Sequence, residues 1–406
     1  MIMNSRKYYL CVTPFFPTPN SFRGPFVYDQ VKALKTVSDY EVVVFKPMSL
    51  KNKAMSYEYD GIKVFLFPTA QTPSYLFNGL FNGYNAKSFA KTVLSIGINP
   101  NDVAVIHCHT STLGACGLEL KKYNPDIKVL LQHHDKDPFT ILNGKLAGWR
   151  LNSRYRAKKN IEIFNAVDAH VCISRACQAN LLAFPKASAE ETYQPYLSRL
   201  KNLQGLPKIA PKKTVILYNG VDTSKFFKKD RANEHPFTIG CVANFISLKG
   251  QEDLIKAFGI FVKKRNASNA KLLFVGSGPT KDDCIALCRQ MGIDDMVEFK
   301  TEVQHYELIN FYNTLDLFVL PSHFDGFGCV CLEASACGVP FMISKNQGAC
   351  EYFVPEEEHQ WSFLPGDVSQ LTEIIDEYYN KRLIQHLKYA IEIKTLVTNF
   401  LKEISL

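Results

Sequence analysis

Short apolar runs alternate with segments of helical periodicity along the whole chain. In the first half, runs such as EVVVF and DVAVIH are separated by stretches in which apolar residues recur every three or four positions. After an interruption, the alternation restarts at FTIGCV and continues through KLLFV and LDLFVL. Such runs are typical of strands buried on both faces of a parallel sheet, with the periodic segments as covering helices. The pattern predicts an α/β protein with two doubly wound units in tandem.

The interruption lies around Asn219-Gly220, a dipeptide typical of a tight turn at the end of a strand. A chain of 406 residues suits two domains of roughly 200 residues each. The segment from Asp367 onward is amphipathic and predicts helix throughout, so its end can return to the first domain. The predicted parts are a first domain, a second domain and a returning C-terminal helix, over residues 1–228, 229–385 and 386–406.

The composition is that of an ordinary globular protein, with 46% hydrophobic and 21% charged residues. No apolar run approaches the roughly 18 residues that span a bilayer, and the N-terminal run YYLCVTPFFP is broken by prolines. We therefore expect a cytoplasmic protein without a signal peptide. The cysteines lie mostly inside apolar runs and lack zinc spacing, so we expect reduced, small hydrophobic side chains and no metal site.

The net charge of +8 is unevenly placed along the chain. The stretch KLAGWRLNSRYRAKKN, residues 145–160, is rich in lysine and arginine, contains Trp149 and Tyr155, and has no acid. A helix of this composition suits an anionic membrane surface or a phosphorylated acceptor, or it is simply a solvated helix face; these readings stay open. No nucleic-acid-binding motif accompanies the charge, so nucleic acid is not an expected partner.

Two carboxylates, Asp325 and Glu333, flank a Gly-Phe-Gly turn between the buried strand LDLFVLPS and the short helix LEASACG. This spacing predicts Asp325 on a strand-to-helix loop and Glu333 on the second helical turn, at the sheet edge where ligands bind. Gly326 and Gly328 let backbone approach a ligand closely, and the amides at the helix start favour a negative group. Carboxylates beside them can accept hydrogen bonds from sugar hydroxyls. The alternative is an ordinary connection with a capping Asp and a surface Glu.

Several motifs follow one another in an order that resembles a known family. In the second half these are NGVD, VANF with SLKG, FVGSGP, LDLFVLPS and DGFGCVCLEASACGVP. In the first half they are FFPTPNSFRGPF, IHCHTSTLG and LLQHHDKD. The set is similar to that of the family-four (group 1) retaining glycosyltransferases. The resemblance implies the GT-B fold, with two facing Rossmann-like domains. It also implies a nucleotide-diphosphate sugar as co-substrate and no metal or other cofactor.

The resemblance implies roles for the second-half motifs. Asp325 would contact hydroxyls of the donor sugar, although the family usually has Glu there. Glu333 would hold the ribose hydroxyls, and Lys249, in SLKG, would neutralise the donor diphosphate. The amides of Phe327, Gly328 and Cys329 would meet the sugar or the diphosphate, and the backbone near Val303 would seat the base. For Lys249 the alternative is a surface lysine before a helix.

In the first half, Gly24 would let backbone amides reach the diphosphate, although a plain turn glycine is the alternative. The family's usual Arg near Lys249 is matched here by Asn244, a neutral donor. Arg23 could supply the missing charge from across the cleft.

LLQHHDKD resembles the His-Gly-x-Asp segment of the family. The best register makes His134 the active-site histidine, which would hydrogen-bond a donor hydroxyl; His133 is the alternative by one step. His109 ends the strand before it and resembles a recurring His-x-His, or it is a packed core histidine. Asp135-Lys136-Asp137 spells the manganese motif DxD, which belongs to a different fold and is discounted.

The function that the resemblance implies is transfer of a hexosyl group to a hydroxyl acceptor with retention of configuration. The pathway would be cell-surface polysaccharide or glycoconjugate assembly. The acceptor would be a glycan or a lipid-linked molecule, handled by a peripheral protein on the inner membrane face. The alternative is a non-catalytic sugar-nucleotide-binding subunit of a glycosylation complex, which the departures at Asp325 and Asn244 keep open.

Overall fold

A computed structural model describes most of the chain. The described residues are 7–19, 24–51, 56–72, 77–134, 141–142, 145–146, 150–183, 206–231, 234–301, 303–345 and 347–404. The chain divides into two compact units, residues 1–219 with 393–406 and residues 220–392. Each unit is built on a mainly parallel sheet with helices, so the predicted α/β fold with two doubly wound units is confirmed. The two units divide after residue 219, whereas the sequence pattern predicts a boundary after residue 228.

The first unit holds an eight-stranded sheet in the order β10-β9-β6-β5-β1-β2-β4-β3, parallel except for β3. Its elements are β1 Tyr8–Val12, α1 Pro25–Val37, β2 Glu41–Ser49, β3 Ser56–Tyr59, β4 Ile62–Thr69, α2 Asn82–Ser95, β5 Val103–His109, α3 Gly114–Leu120, β6 Lys128–His133, β7 Ile141–Leu142, β8 Lys145–Leu146, α4 Arg150–Ala166, β9 Ala169–Cys172, α5 Arg175–Ala183 and β10 Thr214–Ile216. Strands β7 and β8 pair only with each other.

The second unit holds a six-stranded parallel sheet in the order β13-β12-β11-β14-β15-β16. Its elements are β11 Thr238–Val242, α6 Gln251–Arg265, β12 Lys271–Val275, α7 Lys281–Met291, β13 Val297–Lys300, α8 Leu308–Tyr312, β14 Leu317–Leu320, α9 Cys329–Ala336, β15 Phe341–Ser344, α10 Glu358–Trp361, β16 Ser362–Phe363 and α11 Val368–Lys381.

Each sheet has a switch point, which lies between two neighbouring strands from which the later strands are added in opposite directions. In the first sheet it lies between β1 and β5, and in the second between β11 and β14. The loops that follow these strands leave the same sheet edge and diverge to opposite faces, which opens a crevice for a ligand. Strand order therefore brings together the loops that carry Gly24 and His109 in one unit, and Lys249 and Asp325 in the other.

The final helix, α12 (Ile393–Ile404), belongs to the first unit. It packs against α1 and buries Ile393, Val397 and Phe400 in the core of that unit. The expected return of the C-terminal helix is thus confirmed. The prediction of helix throughout from Asp367 is wrong, because α11 ends at Lys381 and residues 382–392 are irregular. Bridges from Leu387 to Phe353 and from Glu392 to Val221 draw this segment into tertiary pairing, which overrides its helical pattern.

The basic stretch 145–160 is only partly helical. Residues 145–146 form β8, and α4 begins at Arg150 and runs to Ala166. Strands β3 and β4 are absent from the sequence prediction. Their turn, Asp60-Gly61, has positive φ at both residues, +48° and +69°, as a tight hairpin requires. The Asp-Gly pair between SYEY and IKVF was the signal that could have found them.

Candidate active site

Lys249 and Asp325 form an ion pair at the switch point of the second sheet. Lys249 lies on the loop after β11 and Asp325 on the loop after β14, and Lys249 Nζ is 2.5 Å from Asp325 Oδ2. Gly250 fixes the approach of the two loops, because a side-chain carbon there would lie 2.2 Å from the carbonyl oxygen of Pro321. Each charged side chain is about one-fifth exposed, at 22% and 23%. Lys249 thus lies just before α6, and its ammonium group is held by Asp325 at the surface of the second unit.

Gln347, which sequence reasoning missed, braces the Asp325 loop. Its side-chain oxygen accepts from the Asp325 amide, and its Nε2 donates to the carbonyl of Ser322 at 3.1 Å. Gln347 is almost completely buried, and it follows β15 at the same sheet edge. A polar residue shortly after the apolar run FMIS was the available signal in the sequence. The hydroxyl of Ser322 is also buried and has no hydrogen-bond partner within the described ranges.

The Gly-Phe-Gly turn starts α9. Gly328 adopts φ +92° at the N-cap, a conformation that favours glycine, whereas Gly326 is not in this left-handed region. The ring of Phe327 is buried against Tyr352. The Phe327 amide, expected to meet a ligand, donates to Asp325 Oδ1 at 3.2 Å and so closes a local turn. Cys329 is the first helical residue and is partly exposed.

Glu333 is a buried carboxylate with two protein donors. The Tyr312 hydroxyl donates to Oε2 at 2.7 Å, and His305 Nε2 donates to Oε1 at 2.9 Å. The ring of Phe226 packs against both donors. Burial and the Glu333 charge raise the pKa of Tyr312 well above its ordinary value, so its hydroxyl stays protonated. The reading of Glu333 as a surface residue is wrong; its two partners lie too far away in sequence for any local signal to indicate them.

The remaining second-unit residues lie on neighbouring loops. Asn244 is exposed, and its carbonyl accepts from Gln251 Nε2 at 2.9 Å. Gly276 and Gly278 pack against this turn, because side-chain carbons there would lie 2.1 Å and 2.3 Å from backbone oxygens of Ala243 and Phe245. Close packing of the backbone therefore accounts for both glycines of the GSG motif. Val303 is half-buried beyond the end of β13.

In the first unit, Gly24 is the N-cap of α1, with φ +87°. A side-chain carbon at Gly24 would lie 2.5 Å from the carbonyl carbon of Phe15, so only glycine fits here. The first turn of α1 has no acidic residue and begins with Pro25. Arg23, the expected second cation, lies outside the described residues.

The structure separates the two candidate histidines. His133 is fully buried at the end of β6, where its Nε2 is hydrogen bonded to His170 Nδ1 at 2.8 Å. His134 is half-buried, and its ring packs against Phe26 in the first turn of α1. His134 and Gly24 are thus neighbours at one switch point, and His134 is the more accessible of the two histidines. Asp135-Lys136-Asp137 lies outside the described residues.

A chain of buried polar side chains lies behind His134. His134 Nε2 is hydrogen bonded to His109 Nδ1 at 2.8 Å, and His109 Nε2 contacts Cys11 Sγ at 3.3 Å. His107 stacks on His109 and is hydrogen bonded to the Tyr9 hydroxyl at 2.7 Å. Burial lowers the pKa of His107 to about 3 and the pKa of His109 well below its ordinary value. His109 is therefore a core histidine that touches His134 directly.

The described part of the chain lacks a metal-binding cluster and a membrane-spanning helix. It contains no cluster of three or more His, Cys, Asp or Glu side chains that could hold a metal ion. It also contains no helix with the length and apolar content of a membrane span.

Known proteins resemble both units. Residues 24–190 match the model of glycosyltransferase family 4, and residues 222–394 match that of glycosyl transferases group 1. The capsular polysaccharide biosynthesis glycosyltransferase CapM of Staphylococcus aureus is 32% identical over 150 residues, 36% of this chain and 37% of that protein. The GDP-mannose-dependent alpha-(1-6)-phosphatidylinositol monomannoside mannosyltransferase of Mycobacterium tuberculosis is 32% identical over 149 residues, 32% of this chain and 38% of that protein.

Among solved structures, HepE of Anabaena in complex with UDP and glucose matches with a TM-score of 0.61 at 15% identity, over 98% of this chain and 95% of that chain. The chain spans well under half the length of the curated relatives that it matches. The fold is that of the GT-B class. The chain belongs to the group 1 glycosyltransferases of this class, which confirms the resemblance that its motifs carry.

Proposed function

We propose that the protein transfers a hexosyl group from a nucleotide-diphosphate sugar to an acceptor hydroxyl, with retention of configuration. The observation that carries this proposal is the set of Lys249, Asp325 and Glu333 at the carboxyl edge of one parallel sheet. A cation suits the diphosphate, one carboxylate suits sugar hydroxyls, and the buried carboxylate suits the ribose. By their names, the mycobacterial relative uses GDP-mannose and HepE binds UDP and glucose, which supports a nucleotide-sugar donor.

The Lys249–Asp325 pair suggests how the donor is handled. An ammonium group has three N–H donors, so Lys249 can hold Asp325 and a diphosphate oxygen together. When the bond between the anomeric carbon and the phosphate oxygen breaks, negative charge grows on the leaving nucleotide, and Lys249 stabilises it. Asp325 then accepts a hydrogen bond from a sugar hydroxyl.

The acceptor attacks from the face that the phosphate leaves. Its hydroxyl oxygen bonds to the anomeric carbon, and its proton passes to the departing phosphate oxygen, so configuration is retained. His134 hydrogen-bonds a hydroxyl of the donor sugar. The positive charge that the diphosphate needs comes from Lys249 and the helix start at Gly328, so the reaction needs no metal ion and no cofactor besides the donor.

Turnover with purified protein tests the proposal. UDP-, GDP- and ADP-sugars are supplied with and without lipid-linked oligosaccharide acceptors, and released nucleotide is measured. We expect acceptor-stimulated release that a chelator does not reduce. Glu333→Gln and Lys249→Ala should abolish it. Lys256→Ala, which removes a lysine from the solvent side of α6, is the matched control and should retain it.

Each other outcome has a definite meaning. Tight donor binding without release under any acceptor would replace the transferase with the non-catalytic binding subunit. Absence of donor binding would overturn both readings. Activity that is lost with a chelator and restored by manganese would overturn metal independence. Asp135-Lys136-Asp137 would then be the candidate manganese site.

We also infer that the first unit meets an anionic membrane surface on the cytoplasmic side, where a lipid-linked acceptor would be presented. Five large apolar side chains are more than one-third exposed here: Phe77, Leu80, Phe81, Tyr84 and Leu151. We call them, with the basic residues Arg154, Lys158 and Lys159 of α4, the aromatic-basic surface.

The backbone of this surface is built to expose its apolar residues. Phe77 and Gly79 both have positive φ, which is rare for a phenylalanine. The ring of Phe77 packs on Tyr155 of α4, and its amide donates to Asn152. Residues 77–95 contain no acid and α4 contains one, Glu162. Apolar side chains among basic ones are the pattern of an interfacial membrane contact, whose partner is an anionic lipid surface.

Sedimentation with vesicles tests this surface. We expect binding to phosphatidylglycerol vesicles and not to phosphatidylcholine vesicles, and loss of binding in Leu80→Ser and in Lys158→Glu. Ile384→Ser, at a position of the second unit that is 76% exposed, is the matched control. Equal binding by all variants would overturn the inference. Tight binding of a soluble phosphorylated acceptor without vesicle binding would assign the surface to the acceptor instead.

A further inference from the structure

Three side chains connect the buried sheet of the first unit with His134. Cys11 on β1 and His109 on β5 are each 1% exposed, whereas His134 is half-buried after β6. Cys11 Sγ lies 3.3 Å from His109 Nε2, and His109 Nδ1 lies 2.8 Å from His134 Nε2. The two imidazole rings are nearly parallel, at 11°. Adjacent strands β1, β5 and β6 thus hold one continuous chain of hydrogen bonds.

The number of protons on His109 limits the directions that these hydrogen bonds can take. Burial lowers the pKa of His109 well below its ordinary value, so its ring is neutral near pH 7 and carries one N–H. A neutral imidazole donates from one nitrogen and accepts at the other. If His109 accepts from Cys11, it must donate to His134. If it donates to Cys11, it must accept from His134. Only these two arrangements satisfy both contacts.

The Cys11 thiol determines which of the two hydrogen-bond arrangements forms. Burial also raises the pKa of Cys11, so the sulfur keeps its hydrogen. Within the part of the chain that the structure describes, His109 is the only hydrogen-bond partner of this thiol. Donation from sulfur to an imidazole nitrogen uses that hydrogen and a good acceptor. The reverse arrangement uses sulfur as a weak acceptor and leaves its hydrogen without a partner in the described residues.

We propose that Cys11 and His109 are positioning residues that fix His134 in the tautomer with its proton on Nδ1. Cys11 donates to His109 Nε2, and His109 donates from Nδ1 to His134 Nε2. His134 then carries its N–H at Nδ1, an atom that is buried in the structure. A sugar hydroxyl is the acceptor that the proposed function assigns to this N–H. The tautomer follows from the described geometry, and its use in catalysis rests on the proposed function.

Nitrogen NMR of the full-length protein with labelled histidine measures the tautomer directly. The signals of His134 are assigned by their loss in His134→Gln. In the wild-type protein we expect one neutral form, protonated at Nδ1. In Cys11→Ala we expect a mixture of both tautomers. In Cys11→Ser, whose hydroxyl also donates, the single form should return.

Cys108→Ala is the matched control, because Cys108 is an equally buried thiol on β5. It should leave the His134 signals unchanged while it lowers stability to a similar degree. Wild-type protonation at Nε2 would overturn the proposal. So would a Cys11→Ala protein that is folded by circular dichroism and keeps the single Nδ1 form.

Turnover gives the second readout. Cys11→Ala is expected to lower kcat by roughly twofold with little change in donor KM. Loss of one ordinary hydrogen bond changes the tautomer ratio about fivefold and leaves about half of the molecules in the Nδ1 form. Cys11→Ser should restore kcat. The two measurements separate two failures. An Nδ1 tautomer that depends on Cys11, in a protein without turnover, would overturn the proposed function and support this inference.

Discussion

Both oxygens of Glu333 accept hydrogen bonds from the protein itself, so a ligand would meet a carboxylate whose position is already set. The Tyr312 hydroxyl is fully buried, whereas His305 is partly exposed. Each carboxylate oxygen has two lone pairs, which leaves acceptor sites for ribose hydroxyls. Preorganisation of this kind reduces the cost of binding, because the side chain has no rotamer freedom left to lose.

Tyr312→Phe tests this role. Removal of the hydroxyl leaves Glu333 Oε2 without its buried donor, and we expect about 1–3 kcal/mol of lost stability. We also expect the donor KM to rise several-fold, because Glu333 is no longer held in place. Tyr378→Phe is the control, since its buried hydroxyl donates to the Asp316 carbonyl at 2.8 Å in the same unit. It should lower stability without changing KM; equal KM values in the two variants would contradict the role.

The buried histidines predict a pH dependence of stability. Burial depresses the folded-state pKa of His107 and of His109 below the ordinary 6.5. Below pH 6.5 the unfolded chain binds protons that the folded protein does not. The contribution of these two neutral histidines to the free energy of unfolding is therefore complete above pH 6.5. It is lost as the pH falls toward their folded-state pKa values. The free energy of unfolding should fall by about 1.4 kcal/mol per pH unit for each histidine.

Urea unfolding between pH 6 and pH 5 measures this slope. His107→Phe cannot titrate and should reduce the slope by about 1.4 kcal/mol per pH unit, whatever its effect on stability at pH 7. Phe89→Leu, a change at a buried position without a titratable group, should leave the slope unchanged. An unchanged slope in His107→Phe would mean that His107 titrates normally in the folded protein.

At the scale of elements, the start of α1 depends on a glycine for a steric reason. In Gly24→Ala, the new methyl group would meet the backbone of Phe15, and φ would stay positive. We expect a loss of about 2 kcal/mol or more. Gly97→Ala is a matched control, because Gly97 has φ +83° with no atom within 4 Å of the added carbon. Gly97→Ala should lower the free energy of unfolding only by the cost of positive φ for alanine, about 1 kcal/mol. Equal losses in denaturant unfolding would argue against the clash.

Helix α12 is the second element whose docking can be tested. Phe400 is 1% exposed and stacks on His107, 5.9 Å between ring centroids. Phe400→Ala should lower the free energy of unfolding of the first unit by about 3–5 kcal/mol, because it leaves a cavity. Tyr123→Ala, at an exposed ring of the same unit, should cost under about 1 kcal/mol. Similar losses in both variants would mean that α12 contributes little to the core.

Secondary structure was predictable where a local pattern was strong. The strand, loop and helix around Asp325 and Glu333 lie where the sequence predicts them. The β3–β4 hairpin was missed although Asp60-Gly61 signals it, and the helical pattern after Arg382 was overridden by pairing with distant segments. Local periodicity reports which face of an element is apolar, and it does not report which distant segment competes for the backbone.

At the scale of the whole molecule, strand order decides which loops meet. Lys249 and Asp325 are 76 positions apart in sequence and form an ion pair because β11 and β14 are neighbours. Gly24 and His134 become neighbours for the same reason, around β1, β5 and β6. The partners of Glu333 and the brace from Gln347 follow from this order too. None of these pairings has a local signal; at most, a polar residue after an apolar strand marks the position of Gln347.

The sequence by itself determined the two α/β units, the positions of Asp325 and Glu333 on a loop and a helix, and the family. These rest on periodicity, turn residues and ordered motifs, all of which are local or collinear. Only the tertiary structure decided that His134 is half-buried and His133 fully buried, that Cys11 and His109 lie behind His134, and that Glu333 is held by Tyr312 and His305. Alternation along a strand puts neighbouring residues on opposite faces, but what packs on each face depends on the order of distant strands.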